Sequence, residues 1–154
     1  MKKSDLLQSV RNKKNKRIIV IVISLLLYMF SFSQNSIVVN GQGGYKYFSS
    51  VSTFLSGAFG VLGGAFHEWL IWLTNPIYFI TIYLFTKENK KSKILSLLIV
   101  MISLVFTQWK QILINEGGTK ASIAYLDVGY WLWVSSFFIL STGIFMYFLK
   151  RRVN

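Results

Sequence analysis

Residues 51–85 read VSTFLSGAFGVLGGAFHEWLIWLTNPIYFITIYLF, and how this segment divides decides the fold. It holds no Lys, Arg or Asp. As one continuous helix it would reach about 50 Å, well beyond a hydrocarbon core of ~30 Å. Its two halves differ. In 51–66, Val51, Phe54, Leu55, Ala58, Leu62, Ala65 and Phe66 recur at helical spacing and form one apolar face. Ser52, Ser56, Gly60 and Gly64 make a ridge of small residues, a pattern that lets helix backbones approach closely in lipid. Residues 69–85 are apolar all round and read as a membrane span. The first half is expected to be a short outer-side helix, amphipathic or re-entrant, that leads into that span.

Three further apolar runs flank this segment. Residues 18–33 are apolar apart from serines, and a milder stretch continues to Val39. A basic region precedes this run, as in a signal peptide. The run is long, however, and no A-x-A-like cleavage site follows it, so an uncleaved span over 18–39 is expected. Residues 94–114 and 128–149 supply the other two. The predicted fold is therefore all-α: a polytopic membrane protein with one four-helix domain over 18–149, a basic tail at 1–17 and a basic end at 150–154.

Composition supports this. Of 154 residues 53% are hydrophobic and only 14% charged, with a mean hydropathy of +0.49. A soluble domain would carry about 25% charged residues. Lys and Arg number 17 against 5 acidic residues. Sorted by span, 14 of the 17 fall before span one, between spans two and three, or after span four. Only Lys46, Lys110 and Lys120 fall on the other side. Basic residues in short loops stay cytoplasmic, so both termini are expected inside. Counting 51–66 as a separate span would move Lys87, Lys90, Lys91 and Lys93 outside and destroy the asymmetry. The basic segments are expected to contact anionic lipid. A nucleic-acid partner is not expected.

Chemistry-bearing residues are few. With no cysteine, disulfides and thiolate sites are excluded. His67 is the single histidine, too few for a common catalytic zinc site. The acidic residues are Asp5, Glu68, Glu88, Glu116 and Asp127. No nucleophile elbow, H-E-x-x-H or phosphate-cradling loop is present. No catalytic residue, metal or cofactor is assigned. The polar candidates are His67, Glu68 and Asp127 at the outer surface, and Asn75 and Gln108 at membrane depth. Pro76 is the only proline; it should free the carbonyl of Trp72 and kink its helix. Asn75 should then face another helix. Trp69, Trp72, Trp109, Trp131 and Trp133 all fall toward the outer ends of their spans, as an interfacial aromatic belt would. Both outer loops carry similar punctuation, Asn40-Gly41-Gln42-Gly43-Gly44-Tyr45-Lys46 and Asn115-Glu116-Gly117-Gly118-Thr119-Lys120. A parallel internal repeat or independent glycine-rich turns would each explain it.

Trp72-Leu73-Thr74-Asn75-Pro76, with Gly129-Tyr130-Trp131-Leu132-Trp133 opening span four and Val39-Asn40-Gly41 in the first outer loop, resembles a loose group of uncharacterised small bacterial membrane proteins. The resemblance runs from the first span to the last. It implies four spans and a bacterial plasma membrane, and it implies no reaction. His67-Glu68 before span two departs from the group's pattern.

The expected function is that of a non-enzymatic accessory, sensing or self-protection protein, with a membrane-protein partner or a second copy of the chain as its contact. A small transporter or channel subunit using Asn75 and Gln108 is the alternative. An enzyme acting on lipid through Glu68, Asp127 and His67 ranks last.

Overall fold

A computed structural model describes residues 3–41, 44–114 and 119–153. The chain runs α1 (Lys3–Ser31), β1 (Asn35–Gly41), β2 (Gly44–Ser49), α2 (Ser50–Phe59), α3 (Phe66–Trp72), α4 (Thr74–Thr86), α5 (Lys91–Val105), β3 (Gln111–Leu113), β4 (Lys120–Leu126) and α6 (Val128–Val153). It is mainly helical, but a four-stranded sheet corrects the all-α expectation.

Three helical stretches are long and apolar enough to cross a membrane: Phe66–Thr86, Lys91–Gln108 and Val128–Lys150. The charge-free part of α1, from Ile18 to Ser31, is shorter, about 21 Å by helical rise. The sequence reading extended this helix to Val39, yet residues 35–41 are a strand. The β-branched run Ile37-Val38-Val39 suits a pleated, buried surface, and the ladder ends where Gly41 pairs with Gly44. Residues 94–114 divide likewise: the helix ends in a 3₁₀ turn at Phe106–Gln108, and Gln111–Leu113 is a strand.

Both glycine-rich loops therefore close hairpins, although Gln42, Gly43 and 115–118 (which includes Glu116) lie outside the described residues. The hairpins join into one antiparallel sheet of order β2-β1-β4-β3. A two-fold repeat would set equivalent strands together at the centre. Here the first strand of one hairpin pairs with the second strand of the other, so the shared punctuation reflects turn chemistry.

Helix α6 packs along α1 on one side and α5 on the other, and α4 packs on α5. The bundle core is Tyr28, Tyr78, Phe85, Ile99, Phe137, Leu140 and Ile144. Small and hydroxylated residues line the helix contacts. Ser24 Oγ lies 2.7 Å from the Tyr78 hydroxyl and donates to the Ser136 carbonyl at 2.8 Å. A second core lies between sheet and bundle, built from Ile37, Val39, Phe106, Ile112, Tyr130 and Val134. On the other face of the sheet, Val38 is fully buried between its cross-strand partners Tyr47 and Tyr125. A hydrogen bond with Tyr47 is the first cause that holds the Tyr125 phenol above its ordinary pKa, with burial and the neighbouring Asp127 and Tyr45 adding to it.

The opposite end of the bundle is closed by Arg17. Its Nη1 lies 2.9 Å from Glu88 Oε1 and donates to the Thr86 carbonyl at 3.2 Å, while the guanidinium stacks on Tyr147. Glu88 has φ +55 and ends α4 with Asn89 N–H donating to the Leu84 carbonyl.

Gly143 sets the α1–α6 approach, since a Cβ there would lie 2.3 Å from Val20 Cγ1. Gly143→Ala is expected to lower stability by about 1–3 kcal/mol, and Val20→Ala in the same chain should recover most of that loss. Thermal unfolding in detergent measures both; an unchanged midpoint for Gly143→Ala would refute this close approach.

Candidate functional site

The segment 51–66 is not one helix. Ser49 caps α2, its Oγ accepting from Ser52 N–H at 3.1 Å. The helix ends at Phe59, and the chain turns through Gly64 at φ +78, a conformation that favours glycine. Ala65 N–H donates to the Gly60 carbonyl at 2.8 Å, closing the turn from which α3 starts. α2 therefore folds back beside α3. At Gly57 the backbone sits so near that a Cβ would lie 2.8 Å from the Trp72 ring.

This α2–α3 pair, the underside of the sheet and the ends of α4 and α6 enclose a cavity of about 1000 Å³. Its walls include Phe32, Ile37, Phe54, Ile112, Tyr130 and Trp133. Ser52, Ser56 and Gly60 of the small ridge read from sequence contribute to the lining, and a Cβ on Gly60 would lie 3.2 Å from the Ala65 carbonyl. Among the described residues no Lys or Arg lines the cavity, and Glu68 is its one carboxylate.

Asn75 sits at its base and is 4% exposed. Pro76 cannot donate to Trp72, and the helix breaks between α3 and α4 at that point. Asn75 Nδ2 takes up the freed Trp72 carbonyl at 2.8 Å. Its Oδ1 accepts from the Tyr28 hydroxyl and from Trp133 Nε1, each at 2.9 Å. The two motifs at 72–76 and 129–133 thus meet. Gly129 belongs to the same junction, because a Cβ there would lie 2.2 Å from Ser50 Oγ and 2.6 Å from the Asn35 carbonyl.

The polar candidates are dispersed. Glu68 Oε1 accepts from the Leu113 N–H at 3.1 Å and so closes part of the β3 edge. Asp127 precedes α6, and its Oδ1 accepts from Val128 N–H at 2.7 Å, an N-cap role. His67 is exposed, with its ring 6.3 Å from that of Trp109. No hydrogen bond or ion pair joins these three among the described residues. Gln108 is exposed and donates to Thr107 Oγ1. No group of three His, Cys, Asp or Glu placed to hold a metal occurs among the described residues.

The five tryptophans all lie at the sheet end of the bundle. Only Trp131, at 49% exposure, is freely exposed; Trp72 and Trp133 line the cavity. Sequence reasoning passed over Ser50, Thr53 and Ser36. Thr53 Oγ1 and Ser36 Oγ lie 2.8 Å apart and tie α2 to β1. Ser50 and Trp72 differ: Ser50 Oγ and Trp72 Nε1 are buried with no hydrogen-bond partner among the described residues.

No family model, curated protein or solved structure matches the chain.

Asn75→Leu keeps the volume but strands the Tyr28 hydroxyl, the Trp133 N–H and the Trp72 carbonyl. A loss of about 2–4 kcal/mol is expected. Gln108→Leu should stay within about 0.5 kcal/mol of the parent. Steric trapping or thermal unfolding in detergent distinguishes them, and equal effects would refute the difference.

Proposed function

We propose that the chain is a four-span protein of a bacterial plasma membrane, with both termini cytoplasmic, that acts by binding at its sheet end and not by catalysis. Accessory, sensing or self-protection roles all fit this description. The observation that carries the proposal is the sheet-covered cavity, whose lining is aromatic and hydroxylated and lacks a coupled acid–base pair. Glu68 and Asp127 are each committed to a backbone N–H, which speaks for structural roles.

Membrane placement rests on the three apolar helices together with α1 beside α6. With the sheet outside, Arg17, Lys87, Lys90, Lys91, Lys93 and Lys150 would lie inside, as the retention of basic residues demands. The resemblance of residues 72–76 and 129–133 to motifs of small four-span bacterial proteins favours the same arrangement. A transporter role is less well supported, since Asn75 is fixed by three hydrogen bonds and Gln108 faces outward.

The chain contains no cysteine, so single labels are clean. In intact cells Ser122→Cys should react with an impermeant maleimide, and Lys90→Cys should react only after permeabilisation. Labelling of both from one side would overturn the topology. For the non-catalytic role, the combined variant Glu68→Gln, Asp127→Asn and His67→Ala retains both backbone acceptors. It should complement a deletion strain fully; a normally folded variant that fails to complement would establish a catalytic role.

A further inference from the structure

The turn between α4 and α5 gathers Lys87, Lys90, Lys91 and Lys93 within a short stretch that contains one acidic residue, Glu88. That carboxylate is claimed from another helix: Glu88 Oε1 lies 2.9 Å from Nη1 of Arg17 on α1. Among the described residues the four lysines make no ion pair, and Lys87, Lys90 and Lys91 are exposed. Like charges set this close raise the local potential, and the balancing charge has to come from outside the chain. The surface beside them is apolar. Tyr83 is 60% exposed and Ile94 71%, each within one helical turn of a lysine, and the exposed Leu97 and Leu98 continue along α5. Two of the lysines lean onto rings: Lys87 Nζ lies 5.8 Å from the centre of the Tyr83 ring, and Lys93 Nζ 5.0 Å from that of Phe145 on α6. Their stems therefore run along the side of the bundle and set the ammonium groups at the margin of its apolar surface, as snorkelling side chains do. A partner that fits this surface combines a negative charge with hydrocarbon. Nucleic acid and free phosphate bring the charge alone, and a zwitterionic lipid brings chains without net charge.

We propose that the α4–α5 turn binds an anionic diacyl phospholipid, its phosphate against Lys87, Lys90 and Lys91 and its acyl chains along the exposed apolar sides of α4 and α5. The inference rests on the membrane placement proposed above and gives the end of the bundle opposite the sheet a partner of its own. Retention of a basic loop inside requires positive charge alone. A preference for one head group over another of equal chain length requires the site.

The full chain in a mild nonionic detergent is titrated with dioleoylphosphatidylglycerol and, separately, with dioleoylphosphatidylcholine, and native mass spectrometry counts the bound lipid. The anionic lipid is expected to bind at least about tenfold more tightly. Lys90→Gln with Lys91→Gln should weaken it roughly 10- to 30-fold, at about fivefold per lysine. Lys110→Gln with Lys120→Gln removes the same charge at the sheet end and should leave the affinity within about twofold. Both pairs alter exposed side chains, and circular dichroism checks that each folds like the parent. Equal affinity for the two lipids overturns the proposal. Equal losses in the two pairs would show attraction to net charge alone and overturn it as well. Soluble glycerol phosphate is expected not to displace the lipid; displacement at equal concentration would show that the acyl chains contribute nothing and overturn the site. An oligothymidylate that displaces it would assign the turn to nucleic acid. None of these titrations depends on which side the turn faces. A failed labelling experiment would change the topology and leave the lipid preference standing, and equal lipid affinities would leave the topology standing.

Discussion

Everything at the sheet end depends on the side chain of Asn75. Pro76 removes a backbone donor inside an apolar helix, and the exposed carbonyl of Trp72 would be expensive in a medium without water. Asn75 supplies the missing donor from the next residue back, and its oxygen draws in Tyr28 from α1 and Trp133 from α6. One amide therefore repairs the break and fixes three helices relative to one another. Leu73 keeps helical torsions between α3 and α4 (φ −58, ψ −18), so α3 runs on into α4 and brings Trp72 against Gly57 of α2.

The bundle is held at both ends by different chemistry. At one end Arg17 gathers the Thr86 carbonyl, Glu88 and the Tyr147 ring, so that α1, α4 and α6 are joined by one cation. At the other, β1 pairs with β4 and links the loop after α1 to the loop before α6. Those helices also pack along their length, where Gly143 accepts Val20. The strand pairing thus continues a contact that the helices already make. α5 and α4 lack such a link beyond the short edge strand β3, whose Leu113 N–H is held by Glu68 from α3.

Much of the helical architecture was legible in the sequence because its signals are local. Apolar length placed α5 and α6, and a single proline marked the break and the carbonyl it would free. The division of 51–85 into a first helical part and an apolar span-length helix agrees in outline with the structure, although Gly60 to Ala65 interrupt the first part. The sheet was missed for a physical reason. Ser36 to Val39 and Ile112 to Ile114 continue apolar runs, and hydropathy does not distinguish a buried strand from the end of a helix. The β-branched run Ile37-Val38-Val39, followed by glycine, carried the available signal. The cavity was less accessible still. Ser50 resembles any helix-start serine, and Trp72 any interfacial tryptophan; their isolation emerges only when the α2 turn, Gly129 and the sheet come together.

The dispersal of the acidic residues follows from the same geometry. A sheet placed at the end of an apolar bundle must satisfy its own backbone, and each edge or helix start that it creates needs an acceptor. Glu68 answers the edge of β3, and Asp127 answers the start of α6. Each carboxylate is thereby held by a backbone N–H; Glu68 lines the chamber and Asp127 does not. The rest of the lining is aromatic, aliphatic and hydroxylated, and free of cations among the described residues. The proposed binding role rests on that lining.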